Sequence, residues 1–225
     1  MAIKAIITGS TGMVGEGVLH ECLNHPDVES VLVINRRSCG KLHPKLTEIL
    51  HSDFTDFSEI EELLTGYNSA YLCMGTTSFR MSEKDYANIT YEMTLALART
   101  LARLNPDLSL CYVSGMGSDS TEAGKLMWTR IKGKTENTLL KLPLKQAFMF
   151  RAGIIQPTKG LDNTYLMYKL GNPVLPLLRK LFPKLFCSLE EIGLAMIETS
   201  LSGFDKPIVD VLDMVTLASK NKAKD

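Results

Sequence analysis

Residues Lys4–His25 read KAIITGSTGMVGEGVLHECLNH. The first six form a continuous apolar run of strand type. From Met13 onward the apolar residues recur at helical spacing. Across the junction of the two stand Gly9, Gly12 and Gly15, three residues apart. A glycine at the tight turn lets the chain double back, a second lets the backbone approach a pyrophosphate, and a third lets helix and strand pack closely. The helix N-terminus then offers free N–H groups and a positive dipole end to an anion. A glycine triplet gains its meaning from this context, after a strand and before a helix. The stretch predicts a dinucleotide site built on Thr8, Gly9, Thr11, Gly12, Met13 and Val14.

Outward from this turn, strand and helix patterns alternate. SVLVIN, LTEILH, SAYLCMG, LSLCYVSG and QAFMFRAG read as further strands. Short helical patterns at Phe57–Leu64 and Lys125–Leu140 lie between them, with a long one at Ser82–Leu104 that Asn105-Pro106 stops. Strands apolar throughout are covered on both faces, as in a parallel sheet. The order predicts an α/β protein, a doubly wound parallel sheet of Rossmann type with a small C-terminal substrate-side extension. We read residues 1–225 as one domain, with 1–153 the cofactor-binding core and 154–225 a lid. Within the extension, Ser188 is a plausible N-cap with Glu191 three residues later. KPIVDVLDMVTLASK reads as a short strand and a terminal helix.

Composition narrows the function. With 45% hydrophobic and 22% charged residues the chain has ample material for a core. Lys plus Arg and Asp plus Glu number 25 each, which argues against a nucleic-acid partner. No apolar run reaches the roughly 18 residues of a membrane span. The N-terminus is too short and too quickly polar for a secretory signal. Five scattered cysteines without a CxxC pair suit reduced thiols and a cytoplasmic location. The four histidines form no HExxH pattern and read as surface or loop residues, so no metal site is expected.

The end of the second strand bears on the choice of dinucleotide. NAD-preferring folds place an acid there for the ribose 2′-hydroxyl. This chain has Asn35-Arg36-Arg37. Guanidinium groups pair bidentately with a 2′-phosphate, so the expectation is NADP(H) over NAD(H). Asp53-Phe54 follows the third strand, where an acid can accept from the adenine amino group; Asp is also a common turn residue there.

These residues together resemble the atypical and extended short-chain dehydrogenase/reductase superfamily, over roughly residues 3–220. TGSTGMVG is similar to its TGxxGxxG turn. Cys73-Met74-Gly75-Thr76-Thr77 resembles the loop flanking the nicotinamide ribose, and RAG at Arg151–Gly153 resembles its RPG stretch with Ala152 for proline. YVSGMGSDS is similar to the strand ending in the family's catalytic serine, which falls on Ser114. The small Tat-interacting-protein-like group, within the NAD-dependent epimerase/dehydratase-like branch, carries a CLGTT-type loop and a KGxxE helix much like Lys132–Glu136. The resemblance implies hydride transfer at a carbonyl or alcohol carbon. A Tyr moves the proton, a Lys (here Lys132) lowers the Tyr pKa and holds the ribose, and Ser114 positions the substrate oxygen.

The Tyr position holds Trp128, the single Trp of the chain. An indole N–H donates but cannot complete a proton transfer, and general acid catalysis contributes roughly 100- to 10,000-fold. Tyr86, Tyr91, Tyr165 and Tyr168 are candidate replacements, Tyr112 a poorer one, and Ser114 could pass a proton through water. Two functions stay open. One is an NADP(H)-dependent oxidoreductase, or an epimerase or dehydratase, acting on a small carbonyl or alcohol substrate. The other is a weak or inactive dinucleotide-binding scaffold, to which the basic, apolar segment Val174–Phe186 could contribute a partner surface. Many members of the superfamily pair through helices, which makes a homodimer a candidate state.

Overall fold

β1 (Ile3–Thr8) runs through the middle of a parallel sheet because its side chains are apolar on both faces. Ile3, Ala5 and Ile7 enter one buried layer and Ile6 the other. The computed structural model describes residues 2–158, 160–163 and 175–222. After β1 come α1 (Met13–Asn24), β2 (Val28–Asn35), β3 (Leu46–Leu50), a 3-10 turn at Ser58–Leu64 and β4 (Ser69–Leu72). Next are α2 (Glu83–Ala87), α3 (Met93–Leu104), β5 (Ser109–Gly115), α4 (Met127–Leu139) and β6 (Gln146–Ala152). The last elements are β7 (Ile154–Gln156), α5 (Leu175–Leu181), β8 (Phe186–Ser188), α6 (Leu189–Ser202), β9 (Ile208–Val209) and α7 (Val211–Lys222).

The sheet order is β3-β2-β1-β4-β5-β6-β9, and every neighbouring pair is parallel. The order reverses between β1 and β4, the place where doubly wound sheets open a crevice at the carboxyl ends of their strands. The expected Rossmann-type sheet is therefore the observed one. Asn105 ends α3 as read from the sequence. It is buried, and its amide donates to the carbonyl oxygens of Leu64 and Leu101 while accepting from the N–H groups of Gly66 and Tyr67. Ser188 and Glu191 form the expected capping box of α6.

Two features differ from the sequence reading. The long helix is interrupted by a π-helical turn at Asn88–Glu92, a local widening that leaves the apolar period on either side intact. β7 and β8 form a separate two-stranded parallel sheet. Three residues each is too short for a periodic signal. His51 lies in the loop after β3, one of the places expected for the histidines, and is buried there; its Nε2 lies 2.6 and 2.7 Å from the carbonyl oxygens of Asp53 and Asp56.

Candidate dinucleotide and catalytic site

At the switch point a cavity of about 520 Å³ is lined by Gly9, Thr11, Gly12, Ile34, Asn35, Arg36, Arg37, Phe54, Cys73, Met74 and Gly75. Sequence positions from four separate loops thus converge on one crevice. The three glycines have distinct roles. Gly9 has φ +74°, and a Cβ there would stand 2.7 Å from the backbone of Cys73. A Cβ on Gly15 would stand 2.1 Å from the Gly9 oxygen, so helix and turn touch through it. At Gly12 the nearest atom would be 3.4 Å away, and the residue is exposed toward the cavity. Gly12 caps α1 with no side-chain hydrogen bond, which leaves the first N–H groups of the helix to an anion. These residues fit a dinucleotide: a cradle at Gly9, an open approach at Gly12 and unpaired donors behind it. Met13 and Val14 supply those donors from the first turn, while Thr8 is buried at the end of β1 and Thr76 is half-buried beyond the lining.

The loop after β2 is held from beneath by a residue that sequence reasoning missed. Glu48 of β3 accepts from Asn35 Nδ2 at 2.8 Å, the Ser38 hydroxyl at 2.5 Å and the Cys39 N–H at 2.8 Å. Burial opposes its ionisation, but these three donors outweigh that and keep its carboxyl below the usual range. Asn35 also accepts from Ser10 of the glycine turn at 3.0 Å, which joins the two loops. Arg36 and Arg37 stay exposed and form no ion pair among the described residues. A Glu in the middle of the short strand LTEIL was the available signal. Asp53 is exposed, and its Oδ1 accepts from the N–H and hydroxyl of Thr55 in an Asx turn, while neighbouring Phe54 reaches the cavity.

The second cluster sits at the carboxyl end of β5. Ser114 is buried, with its Oγ 2.8 Å from the Ser118 hydroxyl. Ser118 in turn donates to the Gly115 carbonyl at 2.8 Å. A hydroxyl has one proton, so Ser114 is the donor between the two serines. Lys132 of α4 donates to the Val113 carbonyl at 3.2 Å, and its ammonium lies 5.3 Å from the centroid of the Tyr112 ring. Burial brings Lys132 down from 10.5 to about 8, against a smaller opposing pull from Glu136.

Trp128 lies half-buried against the turn that follows Ser114. A Cβ on Gly115 would meet its Cζ3 at 3.6 Å, and one on Gly117 its Cη2 at 3.4 Å. The benzo edge thus rests on two glycines, and the pyrrole N–H has no partner among the described residues. Tyr86 is 2% exposed, with a phenol pushed up by burial. Tyr91 lies under the Lys134 ammonium at 4.4 Å and opens to a separate cavity shared with Glu83 and Arg130. Tyr112 is fully buried. Tyr165 and Tyr168 lie outside the described residues, as does Val174 at the start of the basic apolar segment.

The KGxxE motif acquires a physical reading. Gly133 lets α4 press on the β5–α4 loop, since a Cβ would fall 1.8 Å from the Asp119 oxygen. Glu136 is fully buried and accepts from Arg151 Nε at 3.1 and 3.2 Å and from Nη2 at 2.6 Å. Arg151 Nη2 also donates to Ser120 Oγ at 2.6 Å. Arg151 and Met116 border a second cavity of about 400 Å³, which Lys184, Lys206, Asp210 and Asp213 also line.

A family model for NAD dependent epimerases and dehydratases matches residues 5–137, well over half of the chain. The chain belongs to the NAD dependent epimerase/dehydratase family. Curated relatives of this family member include Protein FMP52, mitochondrial, from Chaetomium globosum, 27% identical over 154 residues. That match covers 67% of this chain and 65% of the relative. Another is Protein fmp52-1, mitochondrial, from Aspergillus terreus, 29% identical, covering 71% of this chain and 69% of the relative. Among solved structures, the Bordetella bronchiseptica enzyme WbmF in complex with NAD+ has a TM-score of 0.65 at 15% identity, covering 98% of this chain and 78% of that one. The UDP-N-acetylglucosamine 4-epimerase from Methanobrevibacter ruminantium has a TM-score of 0.65 at 16% identity, covering 92% and 75%. At these identities the structures speak for the fold alone.

The cytoplasmic expectation is corrected by these relatives, which are named as mitochondrial proteins. Scattered free cysteines report on redox state and carry no address. No helix among the described residues is long and apolar enough to cross a membrane, and no group of three or more His, Cys, Asp or Glu side chains among them could hold a metal.

Proposed function

We propose that this family member is a nicotinamide-dinucleotide-dependent oxidoreductase, epimerase or dehydratase that prefers NADP(H) and acts on a small carbonyl or alcohol substrate. A mitochondrial setting follows the names of its relatives. The observation that carries the reading is the crevice between the open Gly12 turn and the unpaired Arg36 and Arg37. A bound dinucleotide supplies or takes up hydride. The N–H groups behind Gly12 hold the pyrophosphate. Arg36 and Arg37 meet the 2′-phosphate, Phe54 borders the adenine, and Cys73–Thr76 flanks the nicotinamide ribose. Lys132 binds the ribose hydroxyls as its ammonium. Ser114 orients the substrate oxygen, and the cavity beside Met116 and Arg151 takes the rest of the substrate. Trp128 closes the pocket and lends its N–H to the substrate carbonyl, and in the reducing direction the Lys132 ammonium gives up the proton and is reprotonated from water.

Separate titrations of NADPH and NADH, followed by Trp128 emission, test this reading. Saturable quenching with NADPH the tighter ligand is the expected result, because energy transfer to a bound nicotinamide acts on one known indole. Arg36→Asp should weaken NADPH by roughly 10- to 100-fold, the contribution of a charge-assisted pair, and leave NADH the better ligand. Unchanged NADPH affinity in that variant would sink the preference.

Lys132 makes the binding pH-dependent. Its pKa in the fold is depressed to about 8, so the ammonium is lost as pH rises through that value. Dinucleotide affinity should fall above about pH 8, and Lys132→Arg should move the fall beyond about pH 10. A wild-type affinity that stays level across this range removes Lys132 from the ribose.

Trp128 favours a second reading, a dinucleotide-binding scaffold without turnover. Tight NADPH binding with no oxidation or reduction across a panel of aldehydes, ketones and alcohols would support it.

A further inference from the structure

Glu16 is a residue for which the proposed chemistry has no use. It follows the last glycine of the turn, on the first turn of α1, and is fully buried. A carboxylate removed from water is strongly unfavourable unless paired and hydrogen-bonded. Its partners come from far along the chain. Oε1 accepts from the Asp162 N–H at 3.1 Å and Oε2 from the Asn163 N–H at 2.8 Å. The Lys41 ammonium lies 3.0 Å from Oε1 and 3.7 Å from the Asp162 carboxylate. Burial opposes the ionisation of Glu16, but the two N–H groups and Lys41 outweigh it and hold its carboxyl below the usual range.

One side chain therefore joins three parts of the molecule. They are the phosphate-facing turn, the stretch after β2 that carries Arg36, Arg37 and Lys41, and the backbone at Asp162–Asn163 beyond β7. We propose that Glu16 is a positioning residue that couples dinucleotide binding to the ordering of the Leu161–Asn163 strap. This rests on the dinucleotide reading of the crevice. A ligand that engages Arg36 and Arg37 fixes the loop that delivers Lys41. An anion at the helix N-terminus also strengthens the need for a cation beside Glu16. Both effects tighten the Lys41–Glu16–strap connection. By linkage, an ordered strap tightens the dinucleotide in equal measure, with couplings of this kind running roughly 5- to 150-fold.

Hydrogen exchange of the Asp162 and Asn163 amides, read by NMR with and without NADPH, tests the coupling, and calorimetry follows binding independently. In the wild-type protein, saturating NADPH should slow exchange of both amides about tenfold. In Lys41→Met and in Glu16→Gln the slowing should fall below about twofold, while calorimetry still shows NADPH bound. Lys41 is partly exposed, so its variant retains the buried acid and its two N–H donors if Glu16→Gln fails to fold. Equal slowing in Lys41→Met overturns the proposal. So does a wild-type strap whose exchange ignores NADPH that calorimetry shows to be bound. If no heat is seen with either dinucleotide, the cofactor reading fails, and the coupling fails with it.

Discussion

Glu136→Gln should lower stability by about 3 kcal/mol, the lower end of the cost of breaking a buried ion pair, because Arg151 keeps some contact with solvent. The substitution preserves shape and removes charge. It leaves the Arg151 guanidinium, gripped by both carboxylate oxygens in the native protein, with only neutral acceptors, the new amide oxygen and Ser120 Oγ. For a chain of this size the melting temperature should drop by roughly 6–12 °C. In urea the midpoint should fall while the slope is unchanged. A second effect separates this pair from ordinary packing. Glu136 pulls the Lys132 pKa upward, so its loss lets burial take Lys132 further below about 8. The fall in dinucleotide affinity with pH should then begin at lower pH than in the wild type. An unfolding free energy within about 1 kcal/mol of wild type would mean that the pair does not hold α4 to β6.

Gly15→Ala and Gly12→Ala, three residues apart, should fail in opposite ways. At Gly15 the new Cβ would lie 2.1 Å from the Gly9 oxygen and 2.4 Å from its carbon, so backbone must move. We expect a loss of about 1–3 kcal/mol, as for other overpacked contacts, together with weakened dinucleotide binding. At Gly12 the nearest atom is 3.4 Å away. The fold should lose less than about 1 kcal/mol, while the methyl group keeps the pyrophosphate off the helix N-terminus and dinucleotide affinity falls by roughly tenfold or more. Urea unfolding and calorimetry on both variants distinguish the two. Parallel losses at Gly12 and Gly15 would contradict the division of labour within the turn.

The glycine turn was readable from the sequence because its three roles depend on spacing within one strand–turn–helix unit. The buried strands, the stop at Asn105 and the Ser188–Glu191 cap are equally local. Each rests on neighbours a few residues away, where periodicity and side-chain chemistry already state the outcome. Arg36, Arg37, Phe54 and Met74 were also legible as candidates, since a doubly wound sheet brings the ends of β2, β3 and β4 to one crevice.

The carboxylates were not legible in this way. Glu16 takes its N–H donors from 146 and 147 residues away, Glu136 meets Arg151 across 15, and Glu48 reaches back 13 to Asn35. In the sequence Glu16 and Glu48 read as ordinary charges on a helix and a strand, and Glu136 as the end of a KGxxE motif whose partner is not stated. A charge becomes structural only when the fold strips its water and supplies donors, and those donors are chosen by which strands pair and which loops meet. The same holds for Trp128. The sequence by itself establishes that an indole replaces a phenol, whereas its resting place on Gly115 and Gly117 follows from how α4 packs on the turn after β5. Short-range pattern determined the doubly wound sheet and its glycine turn. Burial and long-range pairing, which only the tertiary structure sets, decided which charged groups hold that turn and its neighbouring loops in place.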